Sequence, residues 1–95
     1  MKAMISQPMA GKTTEQIRDE RTALVSRFES DGIHVVDTVY DDFVANPQPL
    51  HYLAKAINAM ASVDIVAFLP GWEDARGCFI EHECAKRYGK EIIYA

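Results

Sequence analysis

This sequence is poor in several things, and each scarcity excludes a class of protein. There are only two cysteines, Cys78 and Cys84, six positions apart. That is neither a disulfide framework nor the paired spacing of a zinc site. Free thiols suit a reducing compartment, so a cytoplasmic protein is expected. No apolar run approaches the roughly 18 residues of a membrane-crossing helix. One lysine and a three-residue apolar run at the start predict no secretory signal. Basic charge is short too: 10 Lys and Arg against 14 Asp and Glu leave a net charge of −4. Nucleic-acid binders carry a surplus of the other sign, so no nucleic-acid partner is expected. His34, His51 and His82 are scattered without metal-ligand spacing, so neither metal nor cofactor is expected. No repeat or low-complexity segment interrupts the chain.

What remains is ordinary globular composition in 95 residues, enough for one domain with a modest core. Lys2 to Ile5 reads as a short strand, and the punctuated Ser6–Gly11 as a loop. Thr13 with Gln16 forms a capping-box signal, and Ile17, Leu24, Val25 and Phe28 follow at helical spacing. Asp31-Gly32 ends that helix, and Ile33 to Val36 is a second strand. Asp37 to Pro49 reads as an irregular segment, its two late prolines opposing helix. A helix from about Leu50 to Ser62 places Leu53, Ile57, Met60 and Ala61 on one face. Val63 to Leu69 is nearly all apolar, as expected of a strand buried on both sides. A last helix runs from near Arg76 to Gly89, and Glu91 to Tyr94 is a fourth strand.

Strands alternating with helices predict an α/β three-layer sandwich of the flavodoxin or Rossmann type, with a four-stranded parallel sheet ordered 2-1-3-4. The switch point lies between strands one and three, and ligands bind beyond the strand ends there. This order sets Ser6, Gln7, Pro8, Met9 and Gly11 beside Trp72, Asp74, Arg76 and Gly77 as the candidate ligand-binding residues. Glu81, one turn into the last helix, can point back over the strand ends as a nucleophile or base; the alternative is a solvated helix glutamate. Glu83 is expected on the surface. Trp72 either stacks on a base or sugar or anchors its loop. Arg76 either forks onto a phosphate or carboxylate or pairs with Glu73 or Asp74. Cys78 is either activated by the helix start or a buried helix cysteine. Asp37, Asp41 and Asp42 are either a magnesium site or solvated loop acids. Ser6 to Thr13 imitates the end of a phosphate-binding P-loop, with Ser6 in place of the first glycine and Pro8 removing a donor. The alternative is a turn opening a helix.

Met4-Ile5-Ser6-Gln7-Pro8-Met9-Ala10-Gly11, followed far along the chain by Gly77, Glu81, Ala85 and Gly89-Lys90, resembles the two motifs of the nucleoside 2-deoxyribosyltransferase-like superfamily. More closely, it resembles the small uncharacterised branch of that superfamily, common in bacteria and phages. The resemblance implies a base and sugar pocket at the switch point. It implies that Glu81 attacks the anomeric carbon, in hydrolysis or transfer at the N-glycosidic bond. It also implies a homodimer or higher oligomer. The chain departs from the enzymes at Met4 (Tyr in them), Ala56 (Asp), Ala75 (Ser or Asp) and Glu83 (Gly). The expectation is thus a nucleoside- or nucleotide-binding protein cleaving or transferring through Glu81. The alternative is a binding or sensor module for a nucleotide-like metabolite, without chemistry.

Overall fold

The computed structural model describes residues 1–39 and 47–95. Strand β1 (Lys2–Ser6) leads into helix α1 (Thr14–Ser30), then β2 (His34–Val35), α2 (Pro49–Met60), β3 (Ile65–Phe68), α3 (Arg76–Arg87) and β4 (Glu91–Tyr94). The sheet is wholly parallel, in the order β2-β1-β3-β4. Ala3 lies opposite Ile65 and Ser6 opposite Phe68, so both central strands end at the same level.

Alternation along the strands builds the layers. Ala3, Ile5, Ile65, Ala67 and Leu69 turn to one face and pack against Leu24 and Phe28 of α1. Met4, Val66 and Phe68 turn to the other and meet Ala56 and Met60 of α2 and Ala85 of α3. This is the expected three-layer arrangement, and β3 is buried at all four positions.

Local chemistry sets the helix starts. Thr13 Oγ1 accepts from the Gln16 N–H at 3.1 Å, and Gln16 Oε1 accepts from the Thr13 N–H at 2.9 Å, completing the capping box. Helix α2 begins a residue earlier than the sequence suggests, because Pro49 sits at the first helical position, where its missing N–H is no loss. Its inward face also differs: Ala56 and Met60 are buried, whereas Ile57 is 38% exposed and Ala61 is exposed. The second strand shrinks to His34–Val35, since β1 extends beyond it and only two residue pairs form. An unforeseen 3-10 turn, Trp72–Asp74, joins β3 to α3. Its preceding residue, Gly71, has φ 91°, and a Cβ there would stand 3.4 Å from Pro8 Cγ. The β3 loop thus leans on the β1 loop through a position that suits glycine.

Candidate functional site

Beyond the ends of β1 and β3 lies a cavity of about 510 Å³. Its walls are the end of β1 and its loop (Ser6, Gln7, Pro8, Met9, Ala10), the end of the 3-10 turn with the start of α3 (Asp74 to Cys78, and Glu81), α2 (Pro49, Tyr52, Leu53, Ala56), and Ile5 and Thr38. The volume falls in the range of small-molecule sites. Of the residues singled out in the sequence, Ser6, Gln7, Pro8, Met9, Asp74, Arg76, Gly77 and Glu81 come together on its lining. Gly11 and Trp72 lie outside it.

Glu81 is 8% exposed. Its carboxylate folds back along α3, so that a Cβ at Gly77 would lie 3.9 Å from Oε2. Burial pushes its pKa from 4.5 up to about 7, against the opposing pull of the Ser6 hydroxyl and, secondly, of the Arg21 charge. The Cys78 thiol is also raised, first by burial and also by the Glu81 charge, with Ser6 opposing. It is therefore the buried helix cysteine and not an activated thiol. Ser6 Oγ lies near enough to both groups to favour their anions. Yet it completes no hydrogen bond of acceptable geometry and stands unsatisfied in the buried wall.

Gln7 stands on the cavity wall. Its side chain is spent on α1: Nε2 donates to Ile17 O at 3.0 Å and to Glu20 Oε1 at 3.1 Å, and Oε1 accepts from Arg21 Nε at 2.5 Å. Arg76 forms no ion pair among the described residues, so neither Glu73 nor Asp74 claims it. The first turn of α3 has no side-chain cap from Ala75, and its residues Arg76, Gly77 and Cys78 stand on the cavity lining.

The P-loop likeness is spent elsewhere. Lys12 Nζ is held by Glu20 at 2.9 Å, and Thr13 Oγ1 by the Gln16 amide. Trp72 is a loop anchor: it stacks on His82 at 4.1 Å and packs against Phe68 and Tyr94, while His82 Nε2 meets Tyr94 OH at 2.6 Å. Glu83 pairs with Arg87 at 2.8 Å. Asp37 accepts from Arg18 at 3.3 Å and from the Val39 N–H at 2.9 Å. Asp41 and Asp42 lie outside the described residues. Among the described residues, no three His, Cys, Asp or Glu gather as a metal-holding group, and no helix is long and apolar enough to cross a membrane.

Sequence reasoning missed three contributors. Tyr52 and Thr38 line the cavity, and nothing local marks either residue. Arg21 is buried at 5% exposure. It had a signal, since it falls on the Ile17, Leu24, Phe28 stripe.

Fold and cavity together define a Rossmann-like α/β protein with a buried carboxyl at the switch point of its sheet. The chain belongs to the family described as Domain of unknown function (DUF4406), which matches residues 1–94. Comparison with curated proteins and with solved structures found no match.

Proposed function

We propose that this protein binds a nucleoside or nucleotide in the switch-point cavity and cleaves, or transfers at, its N-glycosidic bond through Glu81. The observation that carries the reading is the Glu81 carboxyl, 8% exposed on the cavity wall beside the unsatisfied Ser6 hydroxyl. It agrees with the motif likeness to the nucleoside 2-deoxyribosyltransferase-like superfamily. In the first step a Glu81 oxygen attacks the anomeric carbon. The carbon–nitrogen bond breaks, its electron pair leaves with the base, and the base takes a proton. Water, or a second base, then attacks the same carbon, gives up a proton to solvent in balance with the one the departing base took, and frees the carboxylate. The start of α3 without a side-chain cap, and Arg76 without an ion pair among the described residues, support an anionic group, such as a phosphate, at that end of the ligand.

Release of free base across a panel of nucleosides and nucleotides tests this. Glu81→Gln should abolish release, because an amide of the same shape cannot act as the nucleophile. Equal turnover by both proteins sinks the mechanism. Binding of a panel member without any turnover selects the second reading, a non-catalytic nucleotide or metabolite sensor. One observation favours that reading: Ala56 and Ala75 bring no polar group to the wall, and Met4 is fully buried in the core.

Self-association belongs to the same proposal. Leu50, Ile57, Phe79 and Ile80 are exposed on α2 and α3. A two-fold pair through that face is the simplest assembly. Light scattering should return about twice the 10.7 kDa of one chain; the single-chain mass with ligand still bound refutes it. Free Cys78 and Cys84 suit the proposed cytoplasmic setting.

A further inference from the structure

The fold concentrates its buried polarity in one place. Among the described residues the buried polar or charged side chains are Ser6, Gln7, Arg21, Thr38 and Glu81. All but Arg21 belong to residues of the cavity wall, Gln7 with its amide turned to α1. Arg21 stands behind it, on α1, on the face of the sheet opposite the helix that carries Glu81.

Its guanidinium makes a fork. Nε donates to Gln7 Oε1 at 2.5 Å and Nη1 to Thr38 Oγ1 at 3.0 Å. Thr38 Oγ1 in turn donates to Ile5 O at 3.1 Å. The two limbs therefore join the end of β1, the segment after β2 and the middle of α1. A planar cation with fixed donor directions suits this task, and a lysine cannot reproduce it. Placing a cation on an apolar stripe is costly in free energy, so packing alone gives no reason for it.

We propose that Arg21 is the positioning residue of this cavity: its fork fixes the Gln7 and Thr38 walls, and it holds a buried cation behind the cavity that Glu81 lines. The final clause gains catalytic meaning only if Glu81 is the nucleophile of the function proposed above. The titratable, charged and polar groups that share the cavity lining with Glu81 include Ser6 from β1, Asp74 from the 3-10 turn, Arg76 and Cys78 from the start of α3, and Tyr52 from α2, with Arg21 behind. Burial is the largest influence on the carboxyl, and Ser6 and then Arg21 oppose it. Arg21 is thus the charged member of the opposing pair.

The test needs no turnover. Carboxyl-carbon NMR follows the Glu81 titration, assigned by its loss in Glu81→Gln, while side-chain nitrogen NMR follows Arg21 in the unaltered protein. The Arg21 resonance should inflect at the Glu81 midpoint, and the inflection should vanish in Glu81→Gln. Arg21→Gln should raise the Glu81 midpoint by about one unit, whereas Arg21→Lys, which keeps the charge, should move it by no more than about 0.3. Both variants should speed amide exchange at Gln7, Met9 and Ala10, because both lose the fork. Absence of the inflection in the unaltered protein overturns the proposal, even if Arg21→Gln fails to fold. So does an unmoved midpoint in a folded Arg21→Gln. Inflection without base release anywhere in the panel leaves the positioning role standing and removes the chemistry.

Discussion

Replacing Glu81 with glutamine should make the protein more stable, and increasingly so as pH rises. The unfolded chain carries Glu81 near its ordinary value of 4.5, and the fold raises it to about 7. The folded protein therefore keeps this proton to higher pH than the unfolded one. Stability from the group is fully present below the unfolded value and is lost as pH rises from there through the folded value. By linkage, the loss at pH 5 is under about 1 kcal/mol, and by pH 8 it reaches about 3 kcal/mol. Glutamine does not titrate and escapes this loss, so the gap between variant and parent should widen by about 2 kcal/mol across that range. With a urea slope of about 1–2 kcal/mol/M for a small domain, the midpoints should separate by a further ~1–2 M.

Urea unfolding followed by Trp72 fluorescence at pH 5, 6, 7 and 8, on both proteins, measures this. Glutamine also changes hydrogen bonding, but that contribution is nearly independent of pH, so the widening isolates the carboxyl. Parallel midpoint curves over the whole range would refute the burial argument, and with it the placement of a strained carboxyl on the cavity wall.

Other outcomes follow from single contacts. Phe68→Ala should cost about 3–5 kcal/mol, read from the urea midpoint, because its fully buried ring supports Trp72, His82 and Tyr94. Thr13→Ala should cost about 1 kcal/mol by removing the α1 cap, with no change in ligand binding by calorimetry. Ser6→Ala should change stability at pH 5 by less than about 1 kcal/mol, since its hydroxyl is unsatisfied, while raising the Glu81 midpoint seen by NMR. If base release occurs, its kcat/KM should climb with pH and level off above about 7, as Glu81 becomes the reactive anion; a flat or falling profile argues for another group.

Much of the architecture was legible because it rests on periodicity. Alternating strands and helices determine a parallel sheet, and the crossover rule then places Ser6 beside the α3 loop. Trp72 was not settled by that logic. Its stack on His82 joins residues ten apart, on the 3-10 turn and on α3, and its contact with Tyr94 crosses to the edge strand. Pairings of that kind are decided by the packing around Phe68, which the sequence does not announce. Gln7 misleads for a related reason. Its place in the β1 loop marks it as a ligand contact, but the next helix offers its amide three partners, Ile17 O, Glu20 and Arg21, and takes the side chain away from the cavity. Arg21 is different again, because its signal was present and ran against composition. An arginine on the Ile17, Leu24, Phe28 stripe must either break the apolar face or be buried with partners. The partners are the two cavity walls. A charge on a core stripe of a short α/β chain thus points toward a polar site behind that stripe, as surely as an apolar residue there points toward the core.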